Sequence, residues 1–432
     1  MLEIAILGVL ALVILLLVAP QLGWKLTVAT VALLIMALPP RGLGDAALLG
    51  VPLTTHMVAV VGLAALAALS GTRSALTLRF VPLVVFLVLL GPLAWTFGTD
   101  ITAGTSQLLV GVLAWIAGSY VATLARSDLR SEQYFAALIL AIVSFQAVVA
   151  VLQFSGLDVF ATASRTAELT LGRATGTYGH PGTLGKVIVL LAVFVLPLMG
   201  SAVKRVRTMV TLTLLIAIVP IGLSESRSNI ASLLALLGLW VILLPREKAL
   251  GARIVLPAGA LVIAMSFYET IATRFALDPL GGERDHFMSV ALTHIPENLL
   301  FGVGPKTYIP YFGQYDSLTA QGWPVHNVFV LELAEIGLIG AALLFIPAVV
   351  APAVSAVTRL KSRSPAGYHA RAIIAALPAI IIIGTTGWGL IDVNTLPLWF
   401  FVYGYLDLRA RGDVPPGATI LPADTGLSAQ KR

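Results

Sequence analysis

The stretch GWPVHNVFVLELAEIGLIG, residues 322–340, places a His-Asn pair directly in front of an apolar run. Together with the apolar residues that follow it, the run is long enough to form a membrane helix. It nevertheless carries Glu332 and Glu335, three residues apart and therefore on one helix face, at a depth where an unpaired charge is costly. The stretch predicts a membrane helix with functional polar residues near one end, and it raises the question of what His326 does there.

The composition of the whole chain is that of a polytopic membrane protein. Of its 432 residues, 58% are hydrophobic and only 11% are charged, and the mean hydropathy is +0.96. Soluble globular domains do not have this balance. The first apolar run, residues 4–19, lacks the basic segment and cleavage site of a secretory signal, so we expect a retained helix. The absence of cysteine excludes disulfides and thiolate metal sites.

Apolar runs that can cross a hydrocarbon layer of ~30 Å recur along the chain and leave almost no length for a soluble domain. We therefore predict an all-α fold, a polytopic transmembrane bundle of about 12 to 14 helices that forms a single domain over residues 1–410. Residues 39–55 could contain a re-entrant segment. The thirteen predicted helices cover residues 4–19, 25–38, 56–71, 79–97, 107–125, 133–154, 183–202, 208–223, 229–245, 253–270, 327–357, 372–391 and 394–408.

The basic residues divide unevenly between alternate connections of this bundle. One set of connections holds 19 of the 27 lysines and arginines. By the positive-inside rule this set is cytoplasmic, which places the carboxyl terminus inside and the amino terminus outside. The basic clusters at 204–207 and 359–363 then serve orientation and lipid contact, and we expect no nucleic-acid partner. Residues 411–432, rich in Pro, Gly, Ala and Asp, are predicted to form a disordered cytoplasmic tail.

Two long connections lie on the predicted outer side, at residues 155–182 and 271–325, and they carry most of its polar residues. Long loops between the helices of a bundle are uncommon without a task, so both are candidates for a substrate site. Within the second loop, ERDHFMSVALTHI (283–295) spaces its apolar residues like a short amphipathic helix on the membrane surface.

Arginines on the predicted outer side are exceptions to the positive-inside rule, so their presence there needs an explanation. Arg227 sits in a tight turn between two apolar runs, where a guanidinium group suits phosphate oxygens. The alternative is an ion pair with Glu225 or a lipid phosphate. For Arg284 the alternative is pairing with Glu283 or Asp285.

Two further polar residues have plainer explanations. Lys306 favours a contact with lipid headgroups over a chemical role. His180 precedes a helix start, and a capping or packing role is favoured for it. The GVG at 302–304 lacks the context of a dinucleotide motif and indicates a tight turn.

His326 precedes the first turn of a helix, whose unpaired N–H groups and partial positive charge disfavour a protonated imidazole. A neutral histidine in this position can accept a proton. Glu332 and Glu335 are expected to pair with polar groups of neighbouring helices. The sequence contains no Asp-x-Asp and no His-Glu-x-x-His, and His286 and His294 lack a third ligand, so we predict neither a metal site nor a cofactor.

Three motifs occur in a fixed order: SRS (226–228) before an apolar helix, an arginine-led segment that runs into LLFGVGPKTY (299–308), and HNVFVLELAEIGLIG (326–340). RATGTYGHPG (173–182) lies ahead of them. Their order resembles the bacterial O-antigen ligase and polysaccharide polymerase family. The resemblance extends over about residues 173–340. Ligases of this family usually begin inside, whereas the charge count here places the amino terminus outside.

The resemblance implies an integral-membrane glycosyltransferase of the bacterial inner membrane with its active site on the periplasmic face. Its donor is a glycan on undecaprenyl diphosphate, and its acceptor is a sugar hydroxyl on a glycan or on lipid A-core. Two outer arginines hold the diphosphate and a histidine assists the acceptor, and the matching residues are Arg227, Arg284 and His326. Further substrate contacts are expected from Arg173, His180, Lys306 and Asn327.

The chemistry of such a donor predicts metal-independent, in-line displacement with inversion at the anomeric carbon. The motifs are shared by ligases and polymerases, and the large outer loop gives a slight preference for a ligase. A lipid-linked glycan flippase or another polytopic transporter is the alternative from a different class. Transporters tend to have internal repeats and ionisable groups at the midplane, and the sequence has no matching halves.

Overall fold

The computed structural model of the chain describes residues 23–48, 51–71, 78–95, 100–125, 129–160, 173–245, 253–254, 256–259, 261, 265, 268–277 and 282–412. The predicted helix 4–19, much of the predicted helix 253–270 and nearly all of the predicted tail 411–432 lie outside these residues.

The described residues form helices connected by short turns, with one small hairpin. In chain order the elements are α1 (Gly23–Met36), β1 (Gly42–Leu48), β2 (Val51–Thr54), α2 (Thr55–Leu69), α3 (Leu78–Leu93), α4 (Ile101–Ala125), α5 (Leu129–Phe154), α6 (Pro181–Gly200), α7 (Lys204–Leu223), α8 (Arg227–Leu243), α9 (Tyr268–Leu277), α10 (Arg284–His294), α11 (Tyr308–Phe312), α12 (Ser317–Ala320), α13 (Val328–Val357), α14 (Pro365–Thr385) and α15 (Leu396–Arg411).

The predicted all-α bundle is confirmed. Within the described residues, six helices are long and apolar enough to cross a membrane: α4, α5, α6, α7, α13 and α14. The predicted long outer loop contains the short helices α10, α11 and α12. Residues 39–55, where a re-entrant segment was an open possibility, instead contain an antiparallel hairpin in which Gly42 pairs with Thr54. The helix predicted at 372–391 spans Pro365–Thr385. It begins earlier than predicted because Ser364 caps it by accepting a hydrogen bond from the Gly367 N–H.

The close approach of α4 to α15 organises the centre of the bundle. A side chain at Gly118 would collide with the backbone of Phe401, and one at Gly404 would collide with that of Trp115. Ser119 Oγ donates a hydrogen bond to the Gly404 carbonyl across this contact, at 3.2 Å. Small residues at a helix interface let backbones approach closely, which is how packing replaces the hydrophobic drive inside a bilayer.

The described basic residues separate between the two ends of the bundle. We call one end the loop-rich end, because residues 173–180, 282–327 and 386–395 lie there. At the opposite end, Arg79 and Arg411 form ion pairs with Asp407 at 3.3 and 2.6 Å. Arg359 and Arg409 of the larger set also lie at this opposite end. Arg173 and Lys306 of the smaller set lie in the segments that define the loop-rich end.

Helix α13 is interrupted near its first third, and a loop fills the interruption. Gly337 has φ 68° and ψ −178°, which no helix tolerates. The N–H groups of Val303 and Gly304 donate to the carbonyls of Ala334 and Glu335, at 3.0 and 2.6 Å. In return, the N–H groups of Leu338 and Ile339 donate to the carbonyls at 299 and 300, at 2.8 and 3.2 Å. The GVG turn thus satisfies backbone groups that the break would leave unpaired in an apolar span.

We expect Gly337→Ala to destabilise the protein strongly. A Cβ at Gly337 would lie 2.4 Å from the Leu300 carbonyl oxygen. The backbone conformation is also nearly exclusive to glycine and costs about 1–3 kcal/mol for other residues. The apparent melting temperature of the purified protein, followed by tryptophan fluorescence, should fall by several degrees. Gly238→Ala is the matched control, since nothing lies within 4 Å of a Cβ there. Equal melting of both variants would contradict this account of the break.

Candidate functional site

The segment 173–180 is held against the bundle by two glutamines of α5. Gln153 Oε1 accepts hydrogen bonds from the N–H groups of Thr175 and Gly176, both at 2.9 Å. Gln146 Nε2 donates to Thr177 Oγ1 at 2.8 Å. These bonds fix the path of the chain from Arg173 to the start of α6.

His180 is the N-cap of α6, the role that the sequence favoured. Its Nδ1 accepts from the N–H groups of Gly182 and Thr183, at 3.1 and 3.3 Å. Desolvation within this end of the bundle, together with the charges of Lys186 and Arg173, lowers the pKa of His180 to about 4, although part of its surface stays exposed. A neutral ring matches its capping role, since only the unprotonated Nδ1 can accept these bonds.

Arg173 and Arg227 lie on either side of the turn between α7 and α8. Arg173 Nε donates to the Ser224 carbonyl at 2.9 Å. Arg227 is half-buried in the first turn of α8, and Asn229 in the same turn donates to the Gly182 carbonyl at 3.0 Å. Both arginines therefore lie beside the first turn of α6.

Arg284 opens the surface helix α10. The face predicted from ERDHFMSVALTHI is the one that packs inward, because Phe287, Ala291 and Ile295 are buried. His286 Nε2 lies 2.8 Å from Asp316 Oδ1, which ties α10 to the cap of α12. Helix α10, which carries Arg284, is thus held by its buried face and by the contact of His286 with Asp316.

His326 lies where α10 meets the start of α13. Its ring stacks on Phe287 with centroids 5.7 Å apart and 25° between the planes. Its Nδ1 is buried and has no hydrogen-bond partner among the described residues. Burial lowers the pKa of His326 below its usual value, and the positive charges of Arg284 and Lys186 lower it further. The lowered pKa favours the neutral imidazole, and burial and the neighbouring cations contribute to this shift in addition to the helix end.

Asn327 and Lys306 both shape the backbone around His326. Asn327 is the N-cap of α13, and its Oδ1 accepts from the N–H groups of Phe329 and Val330, at 3.0 and 3.3 Å. Lys306 has φ 59° and an exposed side chain. Its N–H donates to Glu335 Oε2 at 2.7 Å.

Two residues of this site were missed by sequence reasoning. Lys186, in the second turn of α6, lies close enough for its charge to act on His326, and Arg284 and Asp392 act on Lys186 in turn. Its ammonium group packs on Gly389, where a Cβ would meet Nζ at 2.7 Å. The only signal in the sequence was a lysine inside an apolar helix on the side poor in basic residues. Asp392 carried no local signal at all.

The two glutamates of α13 differ in their hydrogen-bond partners. Glu335 accepts from the N–H groups of Lys306 and Tyr308, so its partners are backbone groups of the outer segment, at and just before the start of α11. Glu332 is 3% exposed and its Oε2 has no partner among the described residues. Both line a cavity of about 190 Å³ that Lys306 and Asp392 also line. In the described part of the chain, no three His, Asp or Glu side chains are grouped to hold a metal ion.

Comparison with known families gives one match, which lies over the centre of this site. Residues 211–345 match the family described as O-antigen ligase, a segment that includes Arg227, Arg284, His326 and Glu332. The chain carries an O-antigen ligase domain. Such a domain belongs to membrane glycosyltransferases of the ligase or polymerase type. A search of curated proteins finds no match to the chain.

Removing the charge of Lys186 should raise the pKa of His326 in the ligase domain toward its usual value. We expect this in Lys186→Met, because a nearby cation disfavours the imidazolium. Diethyl pyrocarbonate modifies neutral imidazole, so the modification rate of His326, followed by mass spectrometry from pH 5 to 8, reports the titration. The midpoint should move to higher pH in Lys186→Met and stay in place in Lys204→Met, at the opposite end. An unmoved midpoint in the first variant would show that Lys186 does not act on His326.

Proposed function

We propose that this protein transfers a glycan from undecaprenyl diphosphate to a sugar hydroxyl at the periplasmic face of the inner membrane. The observation that supports the proposal is the half-buried His326, which stacks on Phe287 and whose pKa is lowered by burial and by the cations Arg284 and Lys186. Displacement of a diphosphate by a hydroxyl requires a group that accepts the proton of the hydroxyl. It also requires positive charge that stabilises the leaving diphosphate.

The cations of the loop-rich end are proposed to hold the donor. Arg227 and Arg284 each open a helix, where the first unpaired N–H groups add to the attraction for phosphate oxygens. Lys186 adds a third positive charge near His326. Negative charge develops on the leaving diphosphate, so preorganised cations lower the barrier without a metal ion. Arg173, His180, Lys306 and Asn327 stay proposed substrate contacts, with His180 and Asn327 acting also through the caps described above.

The proposed step breaks one bond and forms another. His326 takes the proton from the acceptor hydroxyl, and the oxygen of that hydroxyl forms a bond to the anomeric carbon. The bond from this carbon to the diphosphate oxygen breaks, and the lipid diphosphate leaves with the electron pair. Attack in line with the leaving group inverts the anomeric centre.

The periplasmic assignment rests on charge. The larger set of basic residues marks the opposite end of the bundle as cytoplasmic, so the loop-rich end faces the periplasm. Lipid-linked glycans and surface acceptors are then on the same side as His326. Between the two finer functions we lean to a ligase, because the folded segment 282–327 provides an outer wall for a single lipid-borne acceptor.

Reconstitution tests the proposed function directly. The full-length protein in lipid nanodiscs is supplied with an undecaprenyl-diphosphate-linked repeat unit and, in separate reactions, with lipid A-core or with more donor alone. A product on lipid A-core indicates a ligase, and a lengthened lipid-linked chain indicates a polymerase. In proteoliposomes, movement of the donor across the bilayer without a covalent product would instead indicate a flippase and would overturn the proposal.

His326→Ala should abolish most of the transfer while leaving the protein folded. A general base typically contributes about 100- to 10,000-fold, and the loss of kcat should fall in this range. His294→Gln, on the same outer segment, is the matched control, because its ring pairs with Glu297 and stacks on Tyr315 away from His326. Normal turnover by His326→Ala, with unchanged melting, would remove the general-base role.

Arg227→Lys and Arg284→Lys should be nearly as harmful as the alanine variants. A lysine keeps the charge but loses the planar fork that binds two phosphate oxygens at once. Removing one such contact costs roughly 100- to 1000-fold in rate. Arg205→Lys, at the opposite end, should retain full activity. Full activity of either site variant would reduce that arginine to a simple positive charge.

A further inference from the structure

Helix α13 exposes apolar side chains along only part of its length. From Val328 to Gly337 no residue is exposed, whereas exposed apolar residues recur from Leu338 to Val357. At a rise of 1.5 Å per residue, residues 338–357 extend over about 30 Å, which is the thickness of the hydrocarbon layer of a bilayer. Hydrocarbon therefore surrounds α13 from its break to its far end, and Leu338 marks the boundary at the loop-rich end.

One loop of the outer segment lies at this boundary, because the break in α13 holds it there. The N–H groups of Leu338 and Ile339 donate to the carbonyls of Leu299 and Leu300, at 2.8 and 3.2 Å. The side chains of Leu299, Leu300 and Phe301 are all exposed, that of Leu300 by 53%. We call these three residues the apolar loop. It continues the exposed apolar surface that begins on α13 at the same level.

Helix α3 packs against the apolar loop and adds to the same surface. Phe301 stacks on Phe86 of α3, with ring centroids 6.4 Å apart and 6° between the planes. Phe86 also packs on α13 just past the break, since a Cβ at Gly340 would lie 3.0 Å from its ring. Beyond Phe86, α3 exposes the apolar residues Val88, Leu89 and Leu90. A surface without a charged residue thus runs from α3 over the apolar loop to α13.

Polar and aromatic residues border the apolar loop on the side of α11 and α12. Glu297 accepts a hydrogen bond from the Tyr311 hydroxyl at 2.8 Å, and Asn298 donates to the same hydroxyl at 2.9 Å. Tyr315, which is exposed, stacks on His294. Tyrosine is enriched where hydrocarbon meets headgroups, because its ring is apolar and its hydroxyl is polar. The apolar loop is therefore followed by residues of the kind that lie at a membrane interface.

We infer that the apolar loop inserts into the lipid leaflet at the loop-rich end and anchors the outer segment, residues 282–327, to the bilayer. A contiguous exposed apolar surface marks an interaction site. The partner here is bilayer lipid, because the surface carries no charge and is continuous with the lipid-facing residues of α3 and α13. The outer segment, which the sequence predicts as a loop outside the membrane, is thus in part a membrane element.

Spin labels on single cysteines test the insertion directly, since the chain contains no cysteine of its own. The full-length protein in nanodiscs is labelled in Leu300→Cys, in Leu338→Cys as the lipid-facing reference, and in Gln321→Cys as the exposed control in the same outer segment. Accessibility to dissolved oxygen, which concentrates in lipid, is compared with accessibility to a water-soluble nickel chelate. The labels at 300 and 338 should favour oxygen, and the label at 321 should favour nickel.

Two other outcomes would overturn the inference. Nickel access at 300 equal to that at 321 would place the apolar loop in water. Exclusion of both reagents at 300 would show that protein covers the loop, so that lipid is not its partner. Leu299→Cys is the second position to label if the label at 300 lowers the melting temperature. No substrate enters these measurements, so their outcome is independent of the proposed function.

Fluorescence quenching measures the depth of the apolar loop independently. A nitrobenzoxadiazole label in Leu300→Cys should be quenched more by lipids brominated near the headgroup than by lipids brominated near the chain ends, because Leu338 marks the edge of the hydrocarbon. The same label in Val350→Cys, near the middle of the exposed part of α13, should show the reverse preference. No quenching at 300 by either lipid would contradict insertion, and stronger quenching from the chain ends would contradict the boundary position.

Hydrogen exchange tests whether lipid contact holds the outer segment in place. Leu300→Asp should speed the exchange of peptides that cover residues 299–304 about tenfold in nanodiscs, because a carboxylate is expelled from hydrocarbon and pulls on the bonds to α13. Gln321→Asp, on the exposed part of the same segment, should leave this exchange unchanged. Equal exchange in wild type and Leu300→Asp would show that the apolar loop does not act as an anchor.

Discussion

The rest of the site depends on the backbone pairing that fills the break in α13. Because Gly337 leaves the helical conformation, two carbonyls and two N–H groups lose their partners inside an apolar span, and the loop at 299–304 replaces all four. The same pairing brings residues 306 and 308 onto the Glu335 carboxylate. The outer segment is therefore attached to α13 at the level where Glu332 lies, and it forms one wall of the cavity that Glu332 and Glu335 line.

A second constraint is the gathering of cations around His326. Cations from three elements, Lys186 of α6, Arg284 of α10 and Arg227 of α8, lie at the loop-rich end, while carboxylates of α13 and of the turn before α15 line the neighbouring cavity.

Sequence reasoning succeeded where a property is local and failed where it depends on distant segments. The face of α10, the tight turn at 302–304 and the cap at His180 follow from spacing and residue type, and the structure confirms them. The hairpin at 42–54 was not predicted, because a short strand pair leaves a weak pattern. The partners of Glu335 were expected on neighbouring helices, and they are the backbone N–H groups of Lys306 and of Tyr308 at the start of α11, because a carboxylate in a helix does not reveal which segment will approach it.

By itself, the sequence determined the membrane bundle and the family, since hydropathy and ordered motifs are read along the chain. Only the tertiary structure decided which side chains act together. Lys186, His326 and Asp392 are separated by more than two hundred residues from first to last, and nothing near any of them in the chain marks the other two. These three residues lie close together because the chain returns to the loop-rich end after every second membrane crossing. Helix packing then selects which of the segments at that end become neighbours.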